Sequence, residues 1–250
     1  MTALLKINNV AKQFGDFAAL DGVTLELPPG RVTAIIGPNG AGKTTLINLA
    51  TGAFVPDRGT MQFKGEDITR LPADQRVSKG LSRSFQIMNI FADLSVLENI
   101  LVPVLAVRGR AGIPFHEITR ETAAMEEARR ILREIRLPHV ENLPAGTLSH
   151  GDQRLLELGI AIAPAPELCF LDEPSSGVTP VERATVMDVI RKLSAERRTT
   201  FVIVEHDMDV VFGLAEWIVV MNRGQVLAEG PPAEIRENRA VREVYLGEEL

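Results

Sequence analysis

Gly37-Pro38-Asn39-Gly40-Ala41-Gly42-Lys43-Thr44 is the stretch on which the fold of this 250-residue chain turns. A glycine, four residues and then Gly-Lys-Thr is the phosphate-binding P-loop pattern in full. It follows the apolar run Val32-Thr33-Ala34-Ile35-Ile36, which reads as a strand, and it opens a helical pattern after Gly42. In that context the glycines let the backbone curl so that amides of Gly37, Pro38's neighbours Asn39 and Gly40, Ala41, Gly42, Lys43, Thr44 and Thr45 surround phosphate oxygens at a helix N-terminus. Lys43 is placed to reach the β- and γ-phosphates of a nucleotide, and Thr44 to ligate Mg²⁺.

Outward from the loop, the order strand, loop, helix recurs. Leu168 to Leu171 reads as a short buried strand, Val181 to Leu193 as a helix and Thr200 to Val204 as another strand. These predict an α/β fold with a mostly parallel sheet. Leu5 to Val10 and Val23 to Leu27 alternate like antiparallel strands flanking that core, with Pro28-Pro29-Gly30 as a turn. Ser95 to Val107, Glu117 to Arg136 and Gln153 to Ala163 are helical in pattern. The chain is therefore divided into one α/β core (1–86 and 165–230, with the antiparallel β-subdomain), an inserted helical lobe (87–164) and a C-terminal helical extension (231–250).

The run Leu168-Cys169-Phe170-Leu171-Asp172-Glu173 ends an apolar strand in two acids, the form of a Walker-B segment. At the carboxyl edge of a parallel sheet, where α/β proteins bind ligands, Asp172 is expected to hold Mg²⁺. Glu173 is expected to orient and deprotonate the attacking water. By itself an acidic pair after a strand is more often a solvated loop; after a P-loop it becomes the catalytic pair.

Composition excludes several classes. With 45% hydrophobic and 24% charged residues the chain is an ordinary globular protein. The most apolar stretch, Val96 to Val107, is broken by Glu98, Asn99 and Pro103, too early to cross a bilayer. Met1 to Val10 lacks the layout of a secretory signal, so a cytosolic location is expected. A net charge of −6 offers no footprint for nucleic acid. The single cysteine, Cys169, sits in an apolar run and reads as a core thiol.

P-loop proteins serve many chemistries, and Leu148-Ser149-His150-Gly151-Asp152-Gln153 narrows them. It resembles the Leu-Ser-Gly-Gly-Gln signature of ABC ATPases, with His150 in place of the first glycine and Asp152 before Gln153. Further elements resemble the same family in order: Phe14 at the adenine-stacking aromatic, Gln86 at the Q-loop glutamine, Ser175-Ser176-Gly177-Val178-Thr179 at the D-loop, and His206 at the switch histidine. Thr179 stands where the family usually has aspartate. Any one of these residues alone would read as core or surface; their joint order carries the resemblance.

The resemblance implies a P-loop NTPase (RecA-like) core and Mg²⁺-dependent ATP hydrolysis. Glu173, His206 and Gln86 become the catalytic set, and Thr44, Gln86 and Asp172 the metal set. It implies a head-to-tail pair with a second ABC ATPase chain, identical or related, in which Ser149 and Gly151 of one chain face ATP held by the other. It also implies membrane permease subunits on the inner face of the cell membrane and a periplasmic substrate-binding protein. Apolar Ile87, Ile90 and Phe91 beside Gln86 read either as part of a groove for a permease helix or as lobe core. Within the family, Phe85-Gln86 followed by Phe91, the segment Ser95-Val96-Leu97-Glu98-Asn99 and the ending Val244-Tyr245-Leu246-Gly247-Glu248 resemble branched-chain amino acid importers. Urea or amide importers and a lipopolysaccharide exporter share much of the pattern. A cytosolic ABC ATPase of DNA repair or translation, a P-loop kinase or GTPase, and a noncatalytic regulator are the rivals from other classes.

Overall fold

The computed structural model describes residues 3–84, 90–110, 121–196 and 199–245. Gln86, with its neighbours 85–89, lies outside them, as do 111–120, 197–198 and 246–250.

Two sheets carry the chain. The larger has six strands in the order β10-β9-β3-β8-β7-β6, built from β3 (Thr33–Ile36), β6 (Leu81–Arg83), β7 (Leu168–Asp172), β8 (Thr200–Val204), β9 (Trp217–Asn222) and β10 (Gln225–Gly230). All its pairings are parallel except β9 with β10. The smaller sheet is antiparallel, in the order β2-β1-β4-β5, from β1 (Leu5–Phe14), β2 (Phe17–Leu27), β4 (Arg58–Phe63) and β5 (Glu66–Asp67). The first hairpin is longer than the sequence pattern suggested, because bulges between Ile7 and Gln13 let pairing continue to Phe14 opposite Phe17.

Strand alternation sorts the core. Ala34, Ile36, Cys169, Leu171, Phe201, Ile203, Ile218 and Val220 point into one hydrophobic cluster; Ile35, Phe170, Val202, Val204, Val219 and Met221 point into the other. A sheet buried on both faces needs apolar residues at every position, hence the unbroken runs. The second cluster joins the large sheet to the small one and to α1 (Lys43–Ala50). The first continues through α3 (Val96–Val107), α4 (Thr122–Glu134) and α5 (His150–Ile162) to α6 (Pro180–Ala195) and α7 (Met208–Leu214). Ile90 packs against this cluster, whereas Phe91 is 55% exposed.

Local sequence sets the helix ends. Ser95 caps α3 in a reciprocal box with Glu98, and the helix runs on through Pro103. Buried Arg76, on α2 (Ala73–Ser78), donates to Leu49 O at 2.6 Å and Ala50 O at 2.8 Å, closing the C-terminal end of α1. Burial lowers the Arg76 pKa to about 10. The C-terminal stretch forms α8 (Pro232–Glu237) and α9 (Arg239–Tyr245), anchored by buried Ile235, Val241 and Tyr245. Trp217 on β9 is partly buried against the second cluster and lies beneath the Arg31 guanidinium, 4.5 Å from the ring centroid. Cys169 is fully buried and its thiol is pushed up to about 12 by that burial, which leaves it inert.

Candidate functional site

The P-loop links β3 to α1 at the carboxyl edge of the parallel sheet. Gly42 caps α1 with φ 100°, and a Cβ there would meet Ala19 O at 2.6 Å, so only glycine fits. The helix has no side-chain cap, which leaves its first amides directed at the loop interior. Lys43 is 6% exposed and folds back, donating from Nζ to Gly37 O at 2.6 Å and Pro38 O at 3.1 Å. Thr44 is exposed and Thr45 half-buried. The outer lip, Pro38 to Ala41, borders a cavity of about 460 Å³ closed by Asn222, Arg223, Glu243 and Val244.

Asp172 ends β7 and is 2% exposed. A carboxylate so deeply placed needs a partner, and Arg83 at the end of β6 supplies it at 3.0 Å from Oδ2. The same guanidinium donates to Asn48 Oδ1 on α1. Arg83 thus joins three elements of the site, a role the sequence reading missed. Glu173 follows with φ 49°, a left-handed backbone that costs a non-glycine residue about 1–2 kcal/mol. Its amide donates to Val204 O at 2.8 Å, and its Oε1 lies 3.3 Å from His206 Nε2. His206 is 48% exposed, so this contact faces solvent. The sheet therefore brings Asp172, Glu173 and His206 to one edge, beside the P-loop carried by the neighbouring strand β3.

Phe14 ends β1 and is 44% exposed, with an edge-on contact to Phe54 at 5.4 Å. An exposed flat ring is available to stack on a base.

The signature residues face other groups of their own chain. Ser149 caps α5, its Oγ accepting from the Asp152 amide at 3.1 Å. The Gly151 amide donates to Glu182 Oε1 at 3.2 Å. Thr179 caps α6 in a box with Glu182, whose Oε2 accepts from the Thr179 amide at 2.9 Å and hydroxyl at 2.8 Å. Thr179 therefore keeps what an aspartate would supply there, an N-cap oxygen. These bonds hold the Glu182 carboxyl below its ordinary value, the Thr179 amide most of all.

A family model for ABC transporters matches residues 20–176, and one for the branched-chain amino acid ATP-binding cassette transporter matches residues 225–250. The chain belongs to the ABC transporter family. The high-affinity branched-chain amino acid transport ATP-binding protein BraF of Pseudomonas aeruginosa is 38% identical over 252 residues, 98% of each chain. Among solved structures, the ADP conformation of an ATP-binding cassette of an ABC transporter has a TM-score of 0.86 at 32% identity, covering 99% of this chain and 100% of that one. A dimeric post-hydrolysis cassette bound to ADP and Pi has a TM-score of 0.77 at 25% identity, covering 91% of this chain and 98% of that one. This ABC cassette has the P-loop NTPase fold, binds nucleotide and hydrolyses ATP to power transport. Among its described residues, no helix is long and apolar enough to cross a membrane.

Proposed function

We propose that this cassette drives import of branched-chain amino acids, with Glu173 as general base and Mg²⁺ as cofactor. The cargo rests on the 225–250 match and on relatives such as the BraF protein. The observation that carries the chemistry is the 3.3 Å approach of His206 Nε2 to Glu173 Oε1 at the sheet edge that bears the P-loop.

The metal fits the donors. Mg²⁺ takes one or two protein oxygens and completes its shell with water and phosphate; Thr44 and Asp172 offer a hydroxyl and a carboxylate. Among the described residues no cluster of three His, Cys, Asp or Glu offers a competing cage. When bound, the ion neutralises charge on the β- and γ-phosphates. Lys43 leaves the Gly37 and Pro38 carbonyls for the phosphate oxygens, and Phe14 stacks on adenine. Glu173 accepts a proton from water as the water oxygen bonds to the γ-phosphorus and the bond to the bridging oxygen of ADP breaks. His206 donates to the γ-phosphate. Gln86 completes the metal and water contacts by the family resemblance.

Ser149 and Gly151 serve the ATP held by the opposing cassette, identical or related, in a head-to-tail pair. A permease helix docks in the apolar groove of about 280 Å³ between Ala53, Val77, Leu81 and Ile160, whose floor includes Arg83 and Ser84 directly before the Gln86 segment. In this reading the cassette lies on the inner membrane face and a periplasmic binding protein delivers the cargo.

Glu173→Gln is the test. Turnover is expected to fall at least a hundredfold while an ATP-bound dimer accumulates on size exclusion; no change in either sinks the mechanism. Cargo is read after reconstitution with the permeases: ATPase stimulation by a leucine-loaded binding protein supports the importer reading, and stimulation by a urea-loaded one overturns it.

A further inference from the structure

Strands β7 and β8 run parallel with Asp172 opposite Val204, so the residues that follow them, Glu173 and Glu205, leave the sheet side by side. Their fates differ. Glu173 points to the solvent-facing contact with His206, whereas Glu205 is 3% exposed. A carboxylate accepts hydrogen bonds and donates none, and the groups gathered around Glu205 are donors. Its Oε1 accepts from the Ser175 amide at 2.8 Å, and its Oε2 accepts from the His206 amide at 3.2 Å. Burial raises the Glu205 pKa above the ordinary carboxylate value, and the Ser175 hydroxyl and the two amides oppose that rise.

Ser175 lies two residues beyond Glu173, whose backbone sits at φ 49°. A non-glycine residue persists there only when its surroundings over-determine the loop. Before the strained residue's side chain, the Glu173 amide is held by Val204 O; after it, Ser176 N donates to Glu173 O at 3.0 Å and Ser175 N to Glu205. The other arm of Glu205 holds the residue that Glu173 faces.

We propose that Glu205 is a positioning residue for ATP hydrolysis, tying the Ser175 amide to the His206 amide so that Glu173 and His206 meet across the reacting γ-phosphate. The proposal rests on the reading of Glu173 as general base. Glu205 is 3% exposed and acts through the two loops it joins.

Glu205→Gln keeps the size but sets an NH₂ group against one of the two amide donors in a dry site. The catalytic geometry then shifts while the P-loop, Phe14 and the signature stay as they are. A misplacement of about 1 Å costs on the order of a hundredfold in rate. The expected result is a kcat reduced roughly tenfold to a hundredfold, a KM for ATP changed less than about twofold, and an ATP-bound dimer that accumulates although Glu173 is intact. Glu205→Asp keeps the charge but is one methylene short of spanning both amides, and it is expected to show the same split to a smaller extent if the glutamine variant does not fold. Wild-type kcat in both variants overturns the proposal. So does a parallel fall of kcat, ATP-dependent dimerisation and thermal midpoint, which marks a general structural tie. Glu173→Gln run alongside separates the two ideas: if it fails to stall hydrolysis, the general-base reading falls and this proposal with it. If it stalls as expected while the Glu205 variants turn over normally, only the role of Glu205 falls.

Discussion

The edge proposed for hydrolysis and the edge proposed to face a partner are built in opposite ways. At that first edge, parallel pairing in a doubly buried sheet fixes where Asp172, Glu173 and His206 emerge, and two side chains hold them: half-buried Arg83 on Asp172 and buried Glu205 behind His206. At the partner-facing edge, the N-termini of α5 and α6 lean on each other through one partly exposed carboxylate, Glu182, which answers the donors of Gly151 and Thr179. The described side chains of the first region find their partners within one chain. The second satisfies its donors locally, and an incoming phosphate there must compete with Glu182 for the Gly151 amide. On the proposed reading, the difference lets one cassette bind nucleotide alone while its signature is kept for a partner.

Three measurements can break or sharpen that contrast. The largest effect is expected from Lys43→Ala, which removes a buried ammonium and, on the proposed reading, its charge-assisted bonds to phosphate, about 4 kcal/mol or nearly a thousandfold in Kd for ATP. Calorimetric titration of the isolated chain reads it; near-normal affinity would mean that the hydrolytic edge is not self-sufficient. Gly151→Ala comes next. A Cβ at that position would lie 2.5 Å from Glu182 Cγ, so the two helices must part at a cost of about 2 kcal/mol. Urea unfolding is expected to report that loss while ATP affinity of the single chain is unchanged; a matching loss of ATP affinity would merge the two regions.

The smallest effect concerns pH. Because hydrogen bonds hold the folded pKa of Glu182 below 4.5, its carboxylate contributes stability that is fully present above pH 4.5 and is lost as pH falls through the folded value. The stability gap between the native chain and Glu182→Gln is therefore expected to be widest near neutrality and to close on acidification. A gap that stays constant with pH would remove the charge from the account of the partner-facing edge.

Much of the hydrolytic edge was legible before any coordinates. A P-loop declares itself because backbone curvature, phosphate and helix start must coincide within eight residues, and Gly37 to Thr44 meets each demand locally. Strand β8 was legible to the residue, because a doubly buried strand must be apolar throughout. Glu205 was missed although its signal was present: Thr200-Phe201-Val202-Ile203-Val204-Glu205 repeats the pattern of an apolar strand ending in an acid seen at Leu168 to Glu173. His206 drew attention as a motif residue and its neighbour did not. Arg83 and Glu182 gave less notice, since an arginine near a strand end or a glutamate in a first helical turn is ordinary on a protein surface.

What the sequence determined by itself was the identity of the machine: a P-loop, an acidic strand end, a signature and a switch histidine in one order. Those are short-range requirements, written in neighbouring residues because phosphate and backbone impose them locally. What only the tertiary structure decided was which side chains hold that machinery in register. Arg83 is 89 residues from Asp172, Glu205 is 30 from Ser175, and Glu182 is 31 from Gly151. Such pairs have no common period or spacing, and they become partners only when sheet pairing and helix packing bring their segments together.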